Sequence, residues 1–148
     1  MPYDNPTTLD IDLNALKQNV HVIKKLYPHQ KILAMVKANA YGHGLLQVAN
    51  ALKNIDGFGV ARLAEANSLR QAGFKQKIVL MPGILHPDEL AFCSENNIDL
   101  VFHSTWQIEA LCQATLQNPI NVWLKLETGM HRLGLSVSEL DSVMPALN

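Results

Sequence analysis

Hydrophobic positions along this chain switch repeatedly between two periods. Leu13, Leu16, Val20, Ile23 and Leu26 recur at three- and four-residue steps, which places them on one face of a helix. Asp12 stands before them as an N-cap, Lys24 and Lys25 suit the last turn, and Pro28 stops the helix. An unbroken apolar run follows at 32–36. Such a run predicts a strand buried on both faces, as in a parallel sheet.

The alternation continues to the end of the chain. A helical stretch over about 45–52 leads to a second run at 58–61. The next helix carries Leu63, Ala66 and Leu69, with Gly73 at its C-terminus, and precedes a run at 78–81. Pro87, Asp88 and Glu89 predict a helix start, and a fourth run spans 98–102. Ser104 and Gln107 predict a capping box for a helix that turns Ile108, Leu111 and Cys112 inward. A fifth run at 122–126 is followed by a second capping box, Ser136 with Glu139. It opens a helix with Leu140, Val143, Met144 and Leu147 on one stripe.

Five strand-like runs alternating with helices, without a linker or low-complexity segment, imply an α/β fold with a parallel sheet and right-handed crossovers. A doubly wound sheet and a (β/α) barrel both satisfy this pattern. The glycine-rich dinucleotide fingerprint after the first strand is missing. In either architecture the chemistry sits at the carboxyl ends of the strands.

Composition narrows the function classes. The chain has 148 residues, 48% hydrophobic and 17% charged, with a net charge of −1. A domain of this size buries roughly 68–70% of its unfolded surface, and the hydrophobic content excludes a disordered chain. Near-neutrality argues against a nucleic-acid partner or a polybasic membrane surface. No stretch is long and apolar enough for a membrane span, and the opening Met1-Pro2-Tyr3-Asp4-Asn5 lacks the features of a signal peptide. The expectation is a cytoplasmic protein. Cys93 and Cys112 read as buried, reduced thiols, and the six histidines lack metal-ligand spacing, so no metal site is expected.

Two strand ends carry candidate chemistry. Lys37 ends the first apolar run and is followed by Tyr41, Gly42 and Gly44. A lysine at an apolar strand end is costly to bury, and a neutral amine there can form a Schiff base with a carbonyl compound. The alternative is a lysine that snorkels to solvent beside a turn. Lys125 lies inside the fifth run, and Arg132 lies beyond it. Two cations at one mouth favour an anionic ligand, whereas the plain reading pairs Lys125 with Glu127 and leaves Arg132 at the surface.

These segments carry a resemblance. V-K-A-N-A-Y-G-H-G at 36–44 resembles the pyridoxal phosphate attachment segment of bacterial alanine racemases. L-K-L-E-T-G-M-H-R-L-G at 124–134 resembles that family's later strand-and-loop motif. The order and spacing of the two fit, as does the opening D-I-D-L-N-A-L-K-Q-N-V, so the resemblance spans essentially the whole chain. It implies a parallel TIM-type (β/α) barrel, which takes about 250 residues when complete. About five of eight β-α units are here. The chain 1–148 is then the N-terminal part of the barrel domain, with the family's C-terminal β-domain absent.

The resemblance also implies roles. Lys37 would hold pyridoxal 5'-phosphate as a Schiff base and serve as one of two catalytic acid/base groups. Tyr41 would contact the cofactor phosphate. Arg132 would bind the phenolic oxygen of the cofactor and stand among the substrate-binding residues. Lys125 falls where many members carry a carboxylated lysine, and Glu127 departs from the aspartate usual in the family. The implied reaction interconverts L- and D-alanine for peptidoglycan synthesis in a homodimer. The second base would be a tyrosine of the partner's C-terminal domain, matched by none of Tyr3, Tyr27 or Tyr41. The isolated 148-residue piece is expected to be inactive. Its open barrel is expected to need its apolar faces covered, by self-association or rearrangement. Competing readings are a racemase of broader specificity, a non-enzymatic pyridoxal phosphate-binding barrel, and a scaffold without an active site.

Overall fold

The computed structural model describes residues 7–147; the opening segment with Tyr3 lies outside them. Helix α1, Leu13–Leu26, begins at Asp12, whose carboxylate accepts from the backbone N–H groups of Asn14 and Ala15 at 2.8 and 3.1 Å. Strands β1 (Leu33–Met35), β2 (Gly57–Val60), β3 (Lys77–Leu80), β4 (Ile98–Phe102) and β5 (Val122–Leu124) follow the five apolar runs. Between them lie α2 (Lys37–Tyr41), α3 (Leu45–Ala51), α4 (Leu63–Gln71), α5 (Glu89–Glu95) and α6 (Thr105–Gln113). Helix α7, Val137–Val143, follows β5 and tightens into a 3₁₀ turn over Met144–Leu147.

All five strands are parallel, in the spatial order β1-β2-β3-β4-β5. That order decides between the two architectures the pattern allows. A doubly wound sheet reverses direction at a switch point, whereas here every strand adds to the same edge. Right-handed crossovers then lay every crossover helix on one face. This is the winding of a TIM-type barrel, five units of it.

Strand residues alternate between the two faces. Phe58, Ile78, Leu80, Ile98, Leu100 and Phe102 are buried in one contiguous core with Ala66, Leu69, Leu90, Cys93 and Ile108 from the helices. Each large side chain in such a layer contributes roughly 1.5–3 kcal/mol. Phe58 also meets Phe74 edge to face, with ring centroids 5.6 Å apart. The intervening residues face the lumen side. Val79 and Val101 are buried there but stand outside that core, while Leu33, Met35 and Trp123 are exposed.

The lumen side also holds a charge that the apolar pattern hid. Asp99 of β4 is 3% exposed. Its carboxylate accepts from Lys77 Nζ at 2.6 Å, Trp123 Nε1 at 2.9 Å and Asn121 Nδ2 at 3.2 Å. Burying a carboxylate is costly unless it is paired and hydrogen-bonded, and this one has both kinds of partner. It ties β3, β4 and the entry to β5 together.

Several sequence expectations need correction. The runs at β2 to β4 are buried on both faces, but β1 and β5 are not, because each is an edge with one strand neighbour and an uncovered lumen side. Gln107 makes no capping box with Ser104. It is fully buried, accepts from His103 N–H at 2.9 Å, and donates to the carbonyls of Pro82 and Ile84. Met144 falls off its stripe and is exposed, whereas the Ser136–Glu139 box forms as expected.

The two thiols also differ. Cys93 is buried, and desolvation, aided by the charge of Glu89, pushes its pKa up to about 12. Cys112, expected inward, is exposed on α6. The thiolate is the reacting form. Iodoacetamide at pH 8 should therefore label the folded chain at Cys112 and reach Cys93 only in denaturant. Peptide mass mapping checks this; equal native labelling would contradict the packing around Cys93. Above pH 9 the unfolded thiol ionises while the folded one does not, so this site's contribution to stability falls as pH rises toward 12. Among the described residues no helix is long and apolar enough to cross a membrane.

Candidate active site

The segment after β1 has an unusual backbone. Ladder pairing ends with Val36 N–H donating to Gly59 C=O at 2.9 Å. Ala38, Asn39, Ala40 and Tyr41 then all take φ between 53° and 54°. With ψ between 46° and 51° at Ala38, Asn39 and Ala40, this is a turn of left-handed helix. Ala40 N–H donates to Val36 C=O at 2.8 Å and Gly42 N–H to Ala38 C=O at 3.0 Å, so the turn is hydrogen-bonded in its own hand. Gly42 ends it at φ 86°, and a Cβ there would have nothing within 4 Å.

A left-handed conformation costs an L-residue roughly 1–2 kcal/mol, so four in succession require support. That support comes from two side chains. Asn39 Oδ1 accepts from Leu45 N–H at 2.8 Å, which fixes the start of α3 against the turn. Glu65, in the first turn of α4, accepts from Asn39 N–H at 3.2 Å through Oε1. Through Oε2 it accepts from Ala61 and Arg62 N–H at 3.0 and 3.1 Å. Lys37 stands at the base of this turn, half-buried, and Tyr41 leaves its far end 58% exposed.

The loop after β5 is built differently. Lys125 N–H still pairs with Phe102 C=O at 2.8 Å, continuing the ladder one residue past β5. Its carbonyl accepts from Leu135 N–H, and Glu127 N–H donates to Leu135 C=O, so residues 127–134 form a loop closed at its base. Gly134 makes this closure possible. A Cβ there would lie 2.6 Å from the Glu127 nitrogen, and its φ is 145°. Backbone N–H groups of His131, Gly129 and Arg132 lower the Glu127 pKa, so the carboxylate is ionised at neutral pH and organises the loop internally. Arg132 is exposed on this loop and Lys125 is half-buried beneath it.

Lys37 and Tyr41 thus share one turn, and Lys125 and Arg132 share one loop. The two groups leave opposite edges of the sheet, four strand spacings or about 19 Å apart along it. No hydrogen bond joins them among the described residues. Lys125 does not pair with Glu127: the one ion pair among the described residues is Lys77–Asp99. Both groups stand at the carboxyl ends of their strands, where (β/α) barrels place their chemistry. Reading the sequence missed Glu65 and Asp99. Glu65 has a visible signal only as an acid in a first helical turn, and nothing in the sequence points it at Asn39.

Known proteins resemble this arrangement over most of its length. The chain is 53% identical over 137 residues to the alanine racemase of Mannheimia succiniciproducens, covering 92% of this chain and 38% of that protein. The crystal structure of biosynthetic alanine racemase from Pseudomonas aeruginosa superposes with a TM-score of 0.84 at 41% identity, over 89% of this chain and 37% of that one. Alanine racemase from Bartonella henselae, crystallised with covalently bound pyridoxal phosphate, superposes with a TM-score of 0.81 at 30% identity, over 91% and 39%. The chain therefore spans well under half the length of the relatives it matches. The family profile for "Alanine racemase, N-terminal domain" matches residues 11–148, taking in both the turn at Lys37 and the loop at Arg132, and the chain belongs to that family.

Proposed function

We propose that this chain is the N-terminal part of the barrel domain of an amino-acid racemase that uses pyridoxal phosphate to interconvert L- and D-alanine. The observation that carries the reading is the pair of built strand-end segments, one presenting a lysine and a phenol, the other a guanidinium. The donors suit the cofactor in kind: a primary amine for its aldehyde, a phenol for its phosphate, a guanidinium for its phenolate. Gly42, which follows Tyr41 in the chain, has open space where a Cβ would stand. Lys37 and Tyr41 would hold the aldehyde and phosphate ends, and Arg132 would hold the ring oxygen and approach the substrate.

When bound, the cofactor supplies an electron sink that makes the Cα–H of an attached amino acid acidic enough to remove. The protein then has to move a proton on each face of a planar centre. Lys37 Nζ would take or return the proton on one face. The second base would come from the part of the protein beyond this chain, in a homodimer. Arg132 would donate to the ring oxygen through its guanidinium. Lys125 would be carboxylated, as in many family members, and its anion would then steady Arg132. Supply of D-alanine for peptidoglycan is the role this chemistry serves.

The test is D-alanine formation from L-alanine with added pyridoxal phosphate. The full-length protein should turn over and the 148-residue chain should not. Robust turnover by the short chain, or none by the full-length protein with any small amino acid, would contradict the reading.

A further inference from the structure

We propose that Glu65 is a positioning residue for Lys37, acting through the backbone of the left-handed turn; this rests on the reading that Lys37 carries the cofactor. Residues in the left-handed region persist only where their surroundings over-determine them. Here four non-glycine residues in succession do so directly after Lys37. A turn that relaxed toward ordinary φ would swing the chain at Lys37 and move Tyr41 away from it. What opposes relaxation from outside the turn is a short set of bonds, and the charged one is Glu65 Oε1 accepting from Asn39 N–H at 3.2 Å. The same carboxylate reaches Ala61 and Arg62 N–H with its other oxygen, which anchors it to the carboxyl end of β2. Glu65 therefore connects the strand-end backbone of β2 to the turn carried by β1, and neither of its oxygens is spent on a cation.

The geometry separates two tasks for this one side chain. Oε2 accepts from the Arg62 N–H at the start of α4, which is a helix-stability task. Oε1 holds Asn39, which is a task for the turn. Glu65→Gln separates them: its carbonyl oxygen can still cap α4, while its amide group faces the Asn39 N–H donor to donor. Loss of a hydrogen bond to an ionised acceptor is expected to lower the fraction of properly formed turn by about tenfold. Ala38→Gly removes the steric cost at one of the four left-handed positions and should return about fivefold of that loss in the double variant. Ala38 is exposed, so the substitution opens no cavity in the core.

The experiment uses the full-length protein in four forms: wild type, Glu65→Gln, Ala38→Gly and the double variant. Two readouts are taken. One is amide hydrogen exchange at Asn39, with Leu45 as the internal reference. The other is the apparent affinity for pyridoxal phosphate, read as the mass of the borohydride-trapped Lys37 peptide across a cofactor titration. The expected result is faster exchange at Asn39 and about tenfold weaker trapping in Glu65→Gln, with partial recovery of both in the double variant. Unchanged exchange and trapping in Glu65→Gln would overturn the proposal. So would a loss that Ala38→Gly does not relieve, which would assign Glu65 to the α4 cap alone. If Glu65→Gln does not fold, rapid Asn39 exchange in the wild type overturns the proposal and slow exchange supports it. Trapping of the cofactor elsewhere than Lys37 in the wild type would instead refute the functional reading, while the exchange result would still report on Glu65 and the turn.

Discussion

Lys37→Ala in the full-length protein is expected to abolish racemisation, by about 10⁴-fold or more, and to remove the borohydride-trapped adduct from the 36–44 peptide. On the proposed reading two functions would be lost at once: the covalent hold on the cofactor and one of the two proton-transfer groups, the latter alone being worth about 10²–10⁴-fold. Lys37→Arg is the sharper variant. It preserves the positive charge at the base of the left-handed turn but cannot lose a proton or condense with an aldehyde. The two substitutions should therefore be equally inactive. Substantial activity in Lys37→Arg would mean that charge, and not amine chemistry, is what this position provides. The fold should survive both changes, because among the described residues the Lys37 side chain makes no hydrogen bond, and it lies outside the contiguous core.

The second large effect is on stability and concerns the opposite end of the sheet. Arg70, in the last turn of α4, sends its guanidinium to four backbone carbonyls. They are Asn96 at 2.8 Å, Asn97 at 2.8 Å, Phe74 at 2.8 Å and Gln76 at 2.9 Å. Both segments lead into strands, β3 and β4, so one side chain clamps two turns at the amino end of the barrel segment. Burial lowers the Arg70 pKa and the nearby Asp99 charge raises it, yet the group remains a cation across the usable pH range. Arg70→Ala should cost about 3 kcal/mol in chemical denaturation, since four carbonyls lose a charged donor together. Arg70→Lys should recover little, because a single ammonium cannot reproduce the planar fork. A loss below about 0.5 kcal/mol would show that water replaces the guanidinium without penalty.

Much of the fold is legible in the sequence, for a local reason. Asp12 caps α1 and Ser136 with Glu139 caps α7, because capping is decided within a few residues. The apolar runs mark the strands for the same reason. What is not legible depends on distant neighbours. Gln107 sits at a capping-box position, but the carbonyls of Pro82 and Ile84 outbid the helix end for its side chain. The left-handed turn is written in alanine, asparagine and tyrosine, with glycine only after it, so no local rule announces it. The pairing partners of Asp99 come from two other strands, and an acid inside an apolar run gives no hint of them. Lys37 and Arg132 were legible only through long motifs, since a single strand-end cation reads as ordinary surface.

The sequential strand order bears on how the chain folds. Each strand pairs with its immediate predecessor, Leu33 with Gly57 and Ile78 with Ile98, so partners lie about twenty residues apart and one crossover separates them. Among the described strands, every ladder forms with the strand that precedes it in the chain. A nascent polypeptide can therefore add its β-α units in the order in which the ribosome delivers them, at the low loop-closure cost of near-neighbour pairing.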